Sequence, residues 1–205
     1  MRRIITVQHT ESVHHTNGMI GSWTDWELTA TGKEQAERIA KRLKADYPDV
    51  NFTLYSSDLK RAKQTAQAIG DVFGIPIHLS GALRERNLGR ACGQSVQWLK
   101  DNIESHETDI DSRLFSDAET RREAWNRLKP FYDELLNQPH ENIILVSHGD
   151  LLSLFNAMWL GLEPEFLNRA DLYGNSGGVS LLLEKQGKRV IKSMSDMSYI
   201  RPNQE

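Results

Sequence analysis

The sequence lacks several features that would narrow its function at once. It has a single cysteine, Cys92, among 205 residues. No intrachain disulfide can form, and a reducing cytoplasm is the expected compartment. No apolar run approaches the roughly 20 residues of a membrane span. Met1-Arg2-Arg3 leads straight into a short strand pattern, which reads as no signal peptide. The net charge of -3 provides no global basic field, so nucleic acid is not an expected partner. There is no repeat, low-complexity tract or cysteine cluster. His14-His15 is a tempting pair, but neighbours in a loop are not expected to face one ligand, so no metal and no cofactor is expected. Asp109-Ile110-Asp111 lacks the remaining ligands of a calcium loop. Cys92, between Gly89 and Gly93, reads as a small filler.

What is present is an alternation of short apolar runs and amphipathic segments. Ile4 to Val7 reads as a buried strand. Thr31-Gly32-Lys33-Glu34 reads as a capping box, followed by Ala36, Ile39, Ala40 and Leu43 at helical spacing. Phe52 to Tyr55 is a second strand. Ser56-Ser57-Asp58 is expected to cap a helix with Leu59, Ala62, Ala66, Ile69 and Phe73 on one face, stopped by Gly74 and Pro76. Ile75 to Leu79 and Ile143 to Val146 are further strands. A helix with Leu151, Leu152, Phe155 and Trp159 follows the latter. Val179 to Leu183 and Arg189 to Lys192 form a late strand pair around Gln186-Gly187-Lys188. The expected fold class is therefore α/β: a mixed, mostly parallel sheet with helices on both faces. Residues 1–205 read as one domain. The stretch of about 84–140, polar and mostly helical, is expected to cap one end of the sheet. Ser116-Asp117-Ala118-Glu119 reads as its capping box, Trp125 and Leu128 as core, and Pro130 as a kink or a new helix start.

Ligand sites in open α/β sheets lie beyond the carboxyl ends of the strands. His9 follows the first strand, Arg61 lies one turn into the helix after the second, Glu85 comes just after the third, and His148 follows the Ile143 strand. This set suits phosphoryl transfer. A neutral imidazole can attack phosphorus, and a guanidinium can grip the nonbridging oxygens. A second imidazole can stabilise them, and a protonated carboxyl group can supply the leaving alkoxide with a proton.

The motifs around these residues resemble those of the histidine phosphatase superfamily, the phosphoglycerate mutase-like proteins, over nearly the whole chain. Gln8-His9-Thr10-Glu11-Ser12 is similar to that family's Arg-His-Gly-Glu-Ser/Thr. Ser22-Trp23-Thr24-Asp25-Trp26-Glu27-Leu28-Thr29 is similar to its Gly-Trp-x-Asp-x-Pro-Leu-Thr, and Gly32-Lys33-Glu34-Gln35-Ala36 to its Gly-x-x-Gln-Ala. Tyr55 to Ala66 matches Tyr-Ser-Ser-Asp-Leu-x-Arg-Ala-x-Gln-Thr-Ala without a miss. Leu83-Arg84-Glu85 and Val146-Ser147-His148-Gly149 complete the set.

The resemblance implies His9 as phosphorylated nucleophile, Arg61 and His148 lining the phosphate pocket, and Glu85 as proton donor. It places Gln8, Thr10, Ser12 and Asn17 near the substrate. Arg86 and Arg90 could bind a second anionic group or be solvated surface charges. Arg121 and Arg122 read as surface. Trp23 and Trp26 could wall the substrate mouth or cover the first helix. A small phosphorylated molecule is the expected partner; the oligomeric state is not legible.

Three departures stand in the first motif: Gln8 for arginine, Thr10 for glycine and His15 for asparagine. Gln8 offers two amide donors and no charge, while the Thr10 hydroxyl could reach the phosphate. With one cation gone, the pKa of His9 is expected to rise. Two functions follow: a phosphomonoester hydrolase slowed by Gln8, or a phospho-ligand-binding module with little turnover. A phosphosugar mutase ranks below both, because the cap is short and carries few clear ligands.

Overall fold

The structure, a computed structural model, describes residues 1–202. Six strands form one sheet: β1 (Arg2–Gln8), β2 (Thr53–Ser57), β3 (Ile77–Ser80), β4 (Asn142–Ser147), β5 (Val179–Lys185) and β6 (Lys188–Asp196), in the order β3-β2-β4-β1-β5-β6. The β3, β2, β4 and β1 pairings are parallel; β5 and β6 join antiparallel. The fold class expected from the sequence is the one observed.

The central strands are apolar without alternation because both faces are covered. Ile4, Ile143, Leu145 and Leu182 face α4 (Arg121–Asn137) and α5 (Gly149–Trp159). Ile5, Val7, Leu54, Ile144, Val146 and Val179 face α1 (Ala30–Asp46) and α2 (Lys60–Phe73). A third, smaller cluster joins Ile20 to Ala91, Phe115 and Ala118. No helix among the described residues is long and apolar enough to cross a membrane.

Several local expectations shift. The α1 cap is Thr29, whose hydroxyl accepts from Gly32 N, and the Thr31 box does not form. Tertiary contacts decide this. Thr29 N donates to the Glu11 carbonyl at 3.1 Å, and its hydroxyl donates to Glu11 Oε1 at 2.5 Å. In α4 the capping box is Thr120 with Glu123, not Ser116 with Glu119. Ser116 N instead donates to Glu104 and Asp117 pairs with Arg90. The α2 N-cap position is Leu59 with no side-chain cap, although Ser57 Oγ accepts from Leu59 N at 3.3 Å.

Pro130 neither divides nor restarts α4, which runs through it. The proline sits on the exposed face, while Ala124, Trp125, Leu128, Tyr132 and Leu135 stay buried. Of the stretch expected as a cap, α4 packs into the first core instead. What precedes it is largely irregular, with only a 3-10 turn at Gly89–Ala91 and α3 (Val96–Asn102).

Gly32 fixes the loop after β1 onto α1. A Cβ built there would stand 1.8 Å from the Glu11 carbonyl oxygen, and Thr10 Oγ1 donates to the Gly32 carbonyl at 2.7 Å. Alanine is worth up to about 1 kcal/mol more than glycine within a helix, but here the loop backbone itself must move. Gly32→Ala is expected to destabilise the protein by about 1–3 kcal/mol, read as a lower midpoint in urea denaturation. An unchanged or raised midpoint would contradict this packing.

Candidate active site

The parallel register of β1 and β4 pairs Gln8 with Ser147, so the next residues, His9 and His148, leave the sheet side by side. Their rings meet edge-on, 5.1 Å between centroids. His9 N donates to the Ser147 carbonyl at 2.9 Å and holds the two loops together. Arg61 enters from the first turn of α2, after the neighbouring β2. Glu85 follows β3 and the 3-10 turn Gly81–Leu83, and Ser147 Oγ pins that segment by donating to the Leu83 carbonyl at 2.8 Å. Four strand ends therefore bring His9, Arg61 and Glu85 to one cavity, with His148 fully buried against His9 and not among the residues that line it.

His9 is buried, and its Nδ1 lies 2.9 Å from the Thr10 carbonyl. That bond requires the proton on Nδ1 and leaves the lone pair on Nε2, which accepts from Arg61 Nε at 3.1 Å. Burial, then the Arg61 guanidinium, hold the His9 pKa well below the ordinary value. Desolvation is the largest cause, and the guanidinium in direct contact comes next.

His148 is likewise held well below its ordinary pKa by burial and then Arg61. Its Nε2 lies 2.9 Å from Ser57 Oγ. With Ser57 donating, the His148 proton sits on Nδ1, a buried atom with no hydrogen-bond partner among the described residues.

The Glu85 carboxyl accepts from the backbone N–H groups of Arg86 (2.9 Å), Asp150 (3.3 Å) and Leu151 (3.2 Å). Burial and the neighbouring Asp150 nevertheless raise its pKa.

A cavity of about 260 Å³ lies in front of this group, lined by Gln8, His9, His14, His15, Arg61 and Glu85, with Arg86 and Asp150 on the cap side. Arg86 is nearly buried and already paired, with both terminal nitrogens on Glu107 and Nε 2.9 Å from Asp150. Arg90 is exposed and bridges Glu104 and Asp117, away from the cavity. Arg121 pairs with Asp150 and Asp171, and Arg122 with Asp111 and Glu165.

Gln8 lines the cavity, but with the amide oriented to suit its neighbours its nitrogen donates to the carbonyls of Gly174 (3.2 Å) and Asn175 (3.3 Å). Thr10 is fully buried and donates to Gly32, so its hydroxyl does not reach into the cavity. Asn17 is exposed and accepts from Met19 N. It does not line the cavity. Ser12 lies beneath the histidine turn, with Oγ 2.7 Å from His14 Nδ1. Trp23 and Trp26 are not among the residues that line the cavity. They donate to the carbonyls of Glu85 and Ile20 and so brace the loops around the site.

Sequence reasoning set aside His14 and His15, and both line the cavity. A 3-10 turn over Val13–His15 turns the two neighbouring rings to the same side. His15 stacks on His9 at 5.4 Å, and His14 lies 4.0 Å from His15. Burial, then His15 and Arg61, lower the His14 pKa to about 3. One ring nitrogen of each of His9, His14 and His15 lies within 4.8 Å of the others, so they could together hold a metal ion. The signal available in the sequence was His15 standing where the family motif has asparagine. Asp150, an acidic residue in the first turn after His148-Gly149, was the other residue missed.

A family profile described as histidine phosphatase superfamily (branch 1) matches residues 4–197. Glucosyl-3-phosphoglycerate phosphatase of Mycolicibacterium vanbaalenii is 28% identical over 198 residues, covering 88% of this chain and 84% of that one. A 2,3-bisphosphoglycerate-dependent phosphoglycerate mutase of Cytophaga hutchinsonii is 27% identical over 201 residues, covering 94% and 92%. The solved structure of Bacillus stearothermophilus YhfR superposes with a TM-score of 0.83 at 21% identity, covering 98% of this chain and 100% of that one.

The histidine tautomers can be read directly. Nitrogen-detected NMR of the imidazoles is expected to show His9 neutral and protonated at Nδ1 at about pH 6, where an ordinary histidine of pKa ~6.5 is mostly charged. An imidazolium pattern for His9 at that pH would contradict the site as described.

Proposed function

Since the chain belongs to the histidine phosphatase superfamily, we propose that it is a phosphomonoester hydrolase that works through a phosphohistidine on His9. The observation that carries this is the state of His9. Its Nδ1 is tied to a carbonyl while its Nε2 lone pair faces the guanidinium that would hold the phosphoryl group. In the first step Nε2 forms the N–P bond and the ester P–O bond breaks. The leaving alkoxide takes the proton of Glu85, a carboxyl group whose raised pKa keeps it available as an acid. In the second step the Glu85 carboxylate takes a proton from water, the resulting hydroxide oxygen bonds to phosphorus, and the N–P bond breaks to release phosphate.

Arg61 remains anchored throughout by the carbonyls of Thr24 and Ser22, both at 2.9 Å. This leaves it pre-oriented for nonbridging oxygens. The His148 Nδ1–H can donate to the same oxygens. Arg86 is neutralised by Glu107 and Asp150, which favours hydrolysis of simple monophosphates over transfer between two positions of a doubly anionic molecule. The single cysteine favours a reducing, cytoplasmic setting.

Kinetics with two kinds of ester test this reading. His9→Ala should abolish turnover of both. Glu85→Gln should lower kcat on an alkyl phosphate by roughly 10²–10⁴-fold, the usual worth of a placed general acid. It should lower kcat much less on p-nitrophenyl phosphate, whose leaving group departs without a proton. The wild-type rate should fall as pH rises through the raised Glu85 pKa, because the acid form is the active one, and Glu85→Gln should remove that limb. Equal losses on both esters would overturn the role of Glu85.

Gln8→Arg is the second test. It places a charge where the present side chain has its amide nitrogen turned onto two carbonyls. One charge-assisted contact is worth about 1.5–3 kcal/mol, so kcat/KM should rise roughly ten- to a hundredfold. The acidic limb should stay where it is, since His9 is already neutral. A folded Gln8→Arg protein no faster than wild type would show that the missing arginine is not what limits turnover.

A further inference from the structure

The proposed reaction uses the imidazoles of His9 and His148 and leaves two at the cavity rim unexplained. His14 Nδ1 is occupied by the Ser12 hydroxyl at 2.7 Å. Its Nε2 lies over Gly21, where an added Cβ would come within 2.7 Å of it. Glycine at this position therefore leaves room for the ring. His9 and His14 thus each have Nδ1 beside an oxygen, which leaves Nε2 as the nitrogen available to a metal, that of His9 in exchange for its hydrogen bond from Arg61. Metal-ligating histidines almost always show this arrangement, with the outer nitrogen's proton given to an oxygen. His15 completes the triad from an exposed position. Its Nδ1 currently accepts from Ser12 N at 3.2 Å, so it must turn its ring and give up that one long bond in order to ligate.

We propose that His9, His14 and His15 form a binding site for a divalent transition metal ion, zinc first. Three neutral imidazoles suit zinc, copper or nickel and disfavour magnesium and calcium, which require oxygen ligands. Tetrahedral zinc with Zn–N bonds of about 2.0–2.1 Å separates its ligand nitrogens by about 3.4 Å. The three nitrogens, now within 4.8 Å of one another, need to close by about 1.4 Å at most. Three protein ligands leave the fourth position open. Arg61 Nε donates to the same His9 Nε2 at 3.1 Å, so the ion must displace that hydrogen bond against the guanidinium charge, while Asp150, which also lines the cavity, favours it. Because the ion takes the lone pair with which His9 attacks phosphorus, it acts as an inhibitor and not as a cofactor.

Cobalt(II) tests the site without any need for turnover, so failure of the metal site and failure of the phosphatase reading are separately visible. The metal-free 205-residue chain is titrated with Co²⁺, and the visible absorption of tetrahedral cobalt is followed. Intense tetrahedral bands saturating at one ion per chain, and abolished by added zinc, are expected. His14→Ala and His15→Ala should each weaken binding by roughly tenfold or more, and both replace residues on an external turn. Arg61→Met should tighten binding, because it removes the opposing charge. Only weak octahedral bands in the wild type, or an affinity unchanged in the His14→Ala/His15→Ala double variant, would overturn the proposal.

Discussion

A buried guanidinium sets the terms for this molecule. Arg61 is almost wholly inaccessible, and a charge in that position is tolerated only when its donors are satisfied. Its three nitrogens reach His9 Nε2, the Thr24 carbonyl and the Ser22 carbonyl. The segment around Ser22 must therefore cross the mouth of the sheet. Once there, Ser22 Oγ donates to the Arg86 carbonyl and accepts from Leu88 N. Through these bonds the segment from Arg86 to Leu88 is tied to the same cation that contacts His9. Burial lowers the Arg61 pKa to about 10, which still leaves it charged across the neutral range.

Charge balance also governs the rest of the cavity. The cavity keeps one cation in contact with His9, and a second, Arg86, is balanced by carboxylates. Around them stand imidazoles that burial keeps neutral. Gln8 contributes no charge, and Thr10 serves the scaffold through Gly32 and Thr65. This pocket is therefore less positive than one with arginine at position 8, and more imidazole-rich through His14 and His15. The first property limits grip on an oxyanion; the second gives a cation somewhere to bind.

The sheet and the four central residues were legible because they rest on local, strongly patterned signals. Apolar runs such as Ile143 to Val146 read as strands, and His9, Arg61, Glu85 and His148 each follow one. Several motif residues turn out to serve the frame. Asp58 holds Arg84 with two 2.7 Å bonds, Gln35 Oε1 accepts from Glu11 N, and Gln64 Oε1 accepts from Leu28 N. Helix starts were misplaced where two good capping residues lie close together. Thr29 prevails over Thr31, and Thr120 over Ser116, through contacts with distant residues that no local pattern contains. His14 and His15 were missed for a related reason. Adjacent side chains usually diverge, and only the 3-10 turn with its Ser12 contacts brings these two to one side.

The central claim is that Nε2 of His9 carries the phosphoryl group. The direct measurement is phosphorus NMR of the protein after rapid mixing with a phosphomonoester, with acid and alkali treatment of the trapped label. A phosphoramidate resonance that is lost in acid, survives alkali and is missing in His9→Ala is the predicted result. A turning-over protein that never accumulates such a species, even with the Glu85→Gln variant slowing its hydrolysis, would contradict the account, as would a label persisting in His9→Ala.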